Sequence, residues 1–363
     1  MTRYGYSFPA IRGVQAGREY YASMCPIRLL PRIFNYDEEE IAPELRAQRS
    51  LNRVRIPEMA RYILDNPKDY VFSAITASID GRVEFEPADV SADFRLGTLH
   101  VDMEARILIN DGQHRRAAID AALKERPDLG DETISVVFFL DLGLARAQQM
   151  FADLNRHAIR PSRSLGVLYD HRDERAEVVR RFVTRAPLFR GLVELEKTNL
   201  AARSSKLFTL SAVYAATAEL LANHEHLAGE DQGGLAMRFW EAIAAQFPEW
   251  QSVRDRKLTA GDVRQQYIHT HGVVLQALGR AGATLLREAP HDWAARLTGL
   301  TKLDWARQSP FWEGRATVGG RVSKGRQNVL LTTNAIKSTL ALALTPEEQR
   351  QEDAYLRGDH VRN

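Results

Sequence analysis

The hydrophobic pattern in the first part of the chain is that of strands with an interspersed helix. Short apolar runs of strand length, at 70–80 and 132–141, are bounded by turn residues. The run at 26–34 also predicts a strand, in which Pro31 favours an edge position or a bulge. The stretch at 55–67 has apolar residues at helical spacing instead. The pattern therefore predicts a sheet with helices.

Helical spacing takes over from about residue 165, where predicted strands almost vanish. The spacing predicts helices at 172–186, 206–222, 233–246, 262–288 and 290–300. The chain is thus predicted to be α+β. We expect a first domain at 1–165, a helical domain with a basic loop at 166–345, and a charged tail at 346–363 that frays.

One stretch of the first domain combines a buried strand, a tight turn and a helix. Residues 107–109 are all aliphatic, and Asn110, Asp111 and Gly112 interrupt the run. Alanines at helical spacing follow over 117–122. The pattern predicts that Asp111 is the N-cap of this helix.

The first turn of that helix is unusually basic. It carries Gln113, His114, Arg115 and Arg116, whereas the partial positive charge of a helix N-terminus favours acidic side chains. The pattern favours a bound anion such as a phosphate, held by backbone N–H groups and arginines. In the alternative interpretation, Arg115 and Arg116 form structural salt bridges and Gly112 only makes the turn.

A second polar cluster lies at 151–165, at the predicted end of a helix. It contains Asn155, Arg160 and Arg163. Cations at a helix C-terminus are electrostatically ordinary. A capped helix end before Pro161 is therefore as good an interpretation as a phosphate or DNA contact.

A third cluster, the basic loop, lies at 319–328. It combines the cations Arg321, Lys324 and Arg326 with flexible glycines that let a backbone follow phosphates. The alternative is a solvated loop. The coexistence of this loop with the basic turn at 111–116 favours nucleic-acid binding.

Composition narrows the function classes only partly. Lys+Arg 49 against Asp+Glu 47 leaves a net charge of +2, which neither demands nor excludes nucleic acid. No apolar run approaches the roughly 18 residues of a membrane span, and the first residues lack an apolar signal core. The single cysteine, Cys25, fits a reducing cytoplasm and is expected to be a small core residue rather than a redox switch.

Metal-site signals in the sequence are weak. The pairs His224/His226 and His269/His271 have a spacing that points the two rings apart on a helix. One cysteine cannot hold an iron–sulfur cluster, and no zinc motif or Walker A loop is present. We therefore expect no resident metal, zinc or iron–sulfur cofactor.

The string at 111–115, DGQHR, resembles the DGQHR-domain family. YVFSAITASIDG, FADLNRHAIRPSRSL and SSKLFTLSAVYAAT extend the likeness to that family's DndB branch, over about residues 20 to 340. The resemblance implies a bacterial DNA phosphorothioate modification system. It further implies a repressor that binds double-stranded DNA at the operon promoter, with other phosphorothioation proteins as partners. A homodimer would suit a palindromic operator, and a purely structural partner of the modification enzymes is a further alternative.

The same element is similar to the phosphate-binding turn of ParB/sulfiredoxin-like domains, which implies a mixed sheet. Carried over, Gly112 is the close-approach residue, and His114, Arg115 and Arg116 contact phosphates. Gln113 occupies the position of the acidic residue in ParB, which puts metal-assisted chemistry through it in doubt.

Some DGQHR proteins are thought to hydrolyse nucleoside triphosphates, so an ATPase using Mg²⁺, with or without DNA nicking, is the alternative function. Its candidate catalytic residues are Asp111, His114 and Arg115. Its nucleotide-binding residues are Gly112, Gln113, Arg116 and Asn155. The candidate DNA contacts of the repressor are Arg160, Arg163, Arg321, Lys324 and Arg326.

Overall fold

The computed structural model describes residues 5–34, 53–88, 95–140, 149–150, 152–154, 161–222 and 229–358. The chain divides into two compact units, Met1–Ile159 and Arg160–Asn363. None of the helices within the described ranges is long and apolar enough to cross a membrane.

The first unit is built on a seven-stranded sheet. Its strands are β1 (Gly5–Gln15), β2 (Arg18–Pro26), β3 (Ile75–Asp80), β4 (Val83–Pro87), β5 (Leu96–Asp102), β6 (Arg106–Asp111) and β7 (Thr133–Leu140). They lie in the order β4-β5-β1-β2-β7-β3-β6. β3 and β7 are parallel and the other neighbours are antiparallel. The predicted mixed sheet is thereby confirmed.

The helices α1 (Leu30–Ile33), α2 (Arg55–Asp65) and α3 (Gln113–Glu125) accompany this sheet. Ala118 and Ile119 of α3 are buried in the same apolar core as Ile107 and Ile109 of β6. The strand and the helix on either side of the DGQHR turn are therefore fixed by one core, which holds the turn in place.

The predicted strand at 26–34 is wrong. β2 ends at Pro26, a 3-10 turn covers Ile27–Leu29, and α1 follows. Pro31 lies in the first turn of α1, where its missing N–H is not needed by the helix. The proline thus marks a helix start rather than an edge strand.

The second unit is mainly helical, as predicted. Its helices are α4 (Arg163–Tyr169), α5 (Glu174–Arg185), α6 (Leu210–Leu221), α7 (Gly229–Ala244), α8 (Pro248–Arg254), α9 (Ala260–Gln266), α10 (Gly272–Glu288), α11 (Trp293–Arg296), α12 (Arg326–Thr339) and α13 (Pro346–Leu356). Two short ladders interrupt them: β8 (Val193–Glu194) with β9 (Phe208–Thr209), and β10 (Thr317–Val318) with β11 (Arg321–Val322). Apolar side chains of α6, α7 and α10 share one core.

The predicted helix at 262–288 is two helices, α9 and α10. The intervening residues leave helical geometry because Tyr267 forms a β-bridge with Ala306. The N–H of Ile268 also donates to the carbonyl of Trp305 at 3.1 Å. These long-range bonds replace helical ones and give α10 a separate N-terminus at Gly272.

The expectation of a frayed charged tail is also wrong for the described part of 346–363. Residues 346–356 form α13, which is capped by reciprocal bonds between Thr345 and Glu348. Glu352 pairs with the buried Arg315 at 2.5 Å, and Glu348 pairs with Lys337 at 2.6 Å. Charge pairing across helices therefore holds this segment in the unit.

Candidate functional site

The turn at 111–112 differs from the predicted cap. Asp111 is the last residue of β6, and Gly112 occupies the N-cap position with a φ of 113° and no side-chain cap bond. The pairing of β3 with β6 shifts register beside Asn110, whose buried side chain accepts a hydrogen bond from Ser78 at 2.8 Å. A side chain is disfavoured at Gly112 because its backbone has a positive φ and an added Cβ would lie 3.0 Å from Ile75.

The basic residues after this turn have partners within the unit. Arg115 pairs with Asp111 at 2.6 Å and donates to the carbonyl of Ala74 at 3.1 Å. Arg116 donates to the carbonyl of Pro31 at 3.3 Å. The guanidinium of Arg115 is thus engaged as in the structural interpretation of the motif.

The other two residues of the motif, Gln113 and His114, are less exposed than residues of a surface loop usually are. Gln113 is buried, and its amide lies 3.3 Å from the carbonyl oxygen of Ile109, to which it donates. His114 is partly buried. An anion at this turn would meet His114 and the Asp111–Arg115 pair rather than a row of unpaired cations.

The second predicted cluster is only partly described. Asn155 and Arg160 lie outside the described residues. Arg163 is exposed at the first position of α4, whose N-cap Ser162 accepts the N–H of Leu165 at 3.1 Å. This helix start has a capping side chain that satisfies one of its free N–H groups.

The basic loop is held by a carboxylate. Glu313 accepts the N–H groups of Gly319 and Gly320, at 2.5 and 3.3 Å, and the hydroxyl of Thr317. The bond from the Gly319 N–H holds the pKa of Glu313 below its usual range. The two glycines therefore shape a hairpin turn around Glu313.

The loop cations are exposed. Arg321, Lys324 and Arg326 have no carboxylate partner among the residues described. Asn328, just beyond them, donates to the carbonyl of Arg315 at 2.7 Å and accepts from Ser323 at the same distance. The loop therefore presents three charges on a fixed backbone.

A cavity of about 1300 Å³ in the second unit brings Lys324 together with further cations that the sequence analysis did not single out. It is lined by parts of 190–212, 253–272, Arg307 and Lys324. Seven cationic side chains contribute to its wall against one carboxylate, Asp262. These cations are Arg190, Arg203, Arg254, Arg256, Arg264, Arg307 and Lys324. Only the fold brings them together, so no local pattern could have revealed the cavity.

The start of α10 forms part of this wall. Thr270 is 4% exposed, and its Oγ1 has no hydrogen-bond partner in the described parts of the chain. The ring of His271 donates through Nε2 to the carbonyl of Arg264 at 2.9 Å. Burial, together with the charges of Arg307, Lys324 and Arg264, lowers the pKa of His271 to about 4.

One of these basic wall residues has a structural role. Arg264 donates to the carbonyls of Ala201 and Ala202, at 2.8 and 2.9 Å, and to that of Lys206. It ties the 201–206 segment to α9. By contrast, Arg307 and Lys324 form no ion pair with any described carboxylate.

The described residues contain no group of three or more His, Cys, Asp or Glu side chains that could hold a metal ion. His269 is buried among aromatic rings and accepts a hydrogen bond from the Trp250 indole at 2.9 Å. Burial raises the pKa of Cys25 to about 12, so its thiol stays protonated.

Comparison with known proteins identifies a family for the chain. A family model described as DndB, DNA-sulfur modification-associated, matches residues 8–343. No curated protein matches the chain, and no solved structure does.

Proposed function

The chain belongs to the DndB family of DNA-sulfur modification-associated proteins, and from that premise we propose that it binds double-stranded DNA as a transcriptional repressor. Membership of this family associates the protein with a DNA sulfur modification system. The repressed target would be the promoter of that system's operon, and other proteins of the system would be its partners.

The observation that carries the proposal is the arrangement of the basic loop. Arg321, Lys324 and Arg326 are exposed within six residues of chain and have no acidic partner in the described ranges. A protein that neutralises DNA phosphates gains affinity by releasing condensed counterions. Cations that already form salt bridges gain less, since binding DNA would break those pairs.

The loop is also held in one conformation before any ligand arrives. Glu313 fixes its hairpin turn, and Asn328 ties its end to the carbonyl of Arg315. Ordering a flexible segment costs conformational entropy on binding. A preformed loop avoids most of that cost, which favours a docking role over that of a solvated connection.

Salt-dependent binding to a promoter duplex tests this assignment. Each lost phosphate contact should flatten the plot of log affinity against log salt by about 0.9. We expect R321A/K324A/R326A to flatten the slope by about the amount that corresponds to three lost phosphate contacts. The matched control is R287A/R296A/R350A, which removes the same charge from cations that pair with neighbouring carboxylates.

Two results would overturn the proposal. One is a wild-type protein that shows no salt-dependent binding to the promoter duplex. The other is a triple loop variant with the affinity and slope of the wild type, or with no larger change than the control triple variant.

Nucleoside triphosphate hydrolysis is the second candidate function. It is favoured by the Asp111–Arg115 pair beside His114, in which the Asp111 side chain is 44% exposed. Asp111 or His114 would position water or Mg²⁺, and Arg115 would contact phosphate. It ranks second because Arg115 must first leave Asp111 and the carbonyl of Ala74. Release of phosphate from ATP, GTP or CTP that disappears in His114→Ala, but not in the exposed control His291→Ala, would reverse the order.

A further inference from the structure

The start of α10 lies in the wall of the cavity. The first N–H groups of a helix have no acceptor within it, and they give the end a partial positive charge. Gly272, the first residue of this 17-residue helix, lines the cavity. The N-cap residue, His271, makes no side-chain cap bond.

A second, independent feature at the same place is the hydroxyl of Thr270. The residue lines the cavity and is 4% exposed, yet its Oγ1 has no partner among the described residues. A buried polar group without a partner costs roughly 1 to 3 kcal/mol. A ligand oxygen that accepts this O–H bond would remove that cost.

The charges around the helix start favour an anionic ligand. Lys324 Nζ lies 3.8 Å from the position that a Cβ on Gly272 would take. Arg307 and Lys324 both depress the pKa of His271, so both act electrostatically on this helix start. Cations at a helix N-terminus oppose the helix dipole, and an anion between them would relieve the repulsion.

The lining also limits how a ligand would be recognised. Among the described residues, no Phe, Tyr or Trp lines the cavity, so these residues offer no ring on which a nucleobase could stack. Its volume of about 1300 Å³ and its seven cations exceed what a single phosphate needs. Recognition would therefore rest on several phosphate groups rather than on a base.

We propose that this cavity is a binding site for a ligand with several phosphate groups, one of which lies at the start of α10. There it would accept hydrogen bonds from the Thr270 hydroxyl and the first N–H groups of the helix, and it would contact Arg307 and Lys324. The ligand is either a free oligophosphate, such as a nucleoside triphosphate, or a stretch of DNA backbone. Only the DNA alternative rests on the function proposed above, because Lys324 also belongs to the basic loop.

Calorimetric titration of the full chain with tripolyphosphate, ATP and a promoter duplex tests the site. The variants are Thr270→Val, which keeps the side-chain shape but removes the hydroxyl, and Arg307→Ala. We expect the affinity for the ligand to fall at least about fivefold in Thr270→Val and about tenfold in Arg307→Ala. Thr270→Ser, which restores the hydroxyl, should bind as the wild type does, as should Arg287→Ala outside the cavity.

The identity of the affected ligand distinguishes the two phosphate sources. Tripolyphosphate or ATP binding that depends on Thr270 and Arg307 supports a free oligophosphate. Duplex binding alone that depends on them supports the DNA backbone. If neither variant weakens any of the three ligands while both unfold at the wild-type temperature, the proposal is overturned.

A further variant distinguishes a failure of the cavity proposal from a failure of the DNA-binding proposal. R321A/R326A removes loop cations that do not line the cavity. If this variant loses DNA but keeps tripolyphosphate, both proposals stand and the two sites are separate. If wild-type protein binds tripolyphosphate but no DNA, the cavity proposal survives and the repressor proposal fails.

Discussion

The N-termini of α3 and α10 both have cations nearby, which oppose the helix dipole, but these cations have different partners. At α3, the charge of Arg115 is neutralised by Asp111, and its guanidinium also donates to a backbone carbonyl. At α10, Arg307 and Lys324 lie near the helix start without a carboxylate partner among the described residues, beside an unsatisfied hydroxyl on Thr270. Basic residues at a helix N-terminus therefore do not by themselves define an anion site. What matters is whether the fold has already paired them.

The largest expected effect is a pH dependence at α10. The pKa of His271 is about 4 in the folded protein and about 6.5 in the unfolded chain. The unfolded state thus binds more protons between these values, and stability should fall by up to about 3 kcal/mol as the pH is lowered from 6.5 to 4.

Urea unfolding at several pH values checks this, with His271→Gln as the comparison. The variant should lose the part of the acid sensitivity that His271 contributes over that range. The rest would come from His269, whose pKa burial also lowers, and from carboxylates with lowered pKa such as Glu249 and Glu348. An equally steep loss of stability in the variant would mean that folding does not lower the pKa of His271. That result would contradict its placement in a buried, cationic cavity wall.

The next effect separates the paired arginine from the unpaired one. Arg115→Ala should cost about 2 to 3 kcal/mol, since Asp111 loses its partner and the carbonyl of Ala74 its donor. Arg307→Ala should change stability by less than about 0.5 kcal/mol, because it breaks no ion pair. Chemical unfolding of both variants measures the difference, and equal costs would refute the contrast between the two helix starts.

A glycine pair offers a matched backbone test. Gly112→Ala should destabilise by about 1 to 2 kcal/mol, because its φ is 113° and the new Cβ would press on Ile75. In Gly272→Ala the new Cβ would lie 3.4 Å from Ala212 and 3.7 Å from Lys324, which are ordinary contact distances, so the change should be neutral or stabilising within about 0.5 kcal/mol. Thermal unfolding of the two variants would reveal whether the turn before α3 is as constrained as its geometry indicates.

The smallest effect concerns the basic loop. Glu313→Gln keeps the shape but weakens the bonds from Gly319 and Gly320, and it should cost less than about 1 kcal/mol because the carboxylate is exposed. If loop order matters for DNA binding, the affinity for a promoter duplex should fall slightly while the salt slope stays unchanged. A changed slope would mean that Glu313 alters the number of phosphate contacts rather than the order of the loop.

The fold was largely predictable where local pattern and tertiary packing agree. The strand, turn and helix around Gly112 were found because apolar spacing and a turn signal coincide there. Pro31 misled the prediction since proline suits both an edge strand and a first helical turn. The choice between them depends on contacts that a nine-residue window does not contain.

The candidate sites were predictable to different degrees. The sequence located the basic loop, but not the role of Glu313, which precedes the glycines it binds. It left Arg115 either as a phosphate ligand or as a structural salt-bridge residue, and the fold pairs this residue with Asp111. Residue type and spacing thus reveal charge, while its neutralisation depends on which side chains the fold brings within bonding distance.

By itself, the sequence determined the sheet unit, the helical unit and the family resemblance, because periodicity and motif spacing are local properties. Only the tertiary structure decided that the helix predicted at 262–288 breaks at Tyr267, where a bridge to Ala306 replaces helical bonds. That break creates the start of α10, and the fold brings cations from between Arg190 and Lys324 around it. Neither feature is encoded in a short window, since both arise from contacts between residues far apart in the chain.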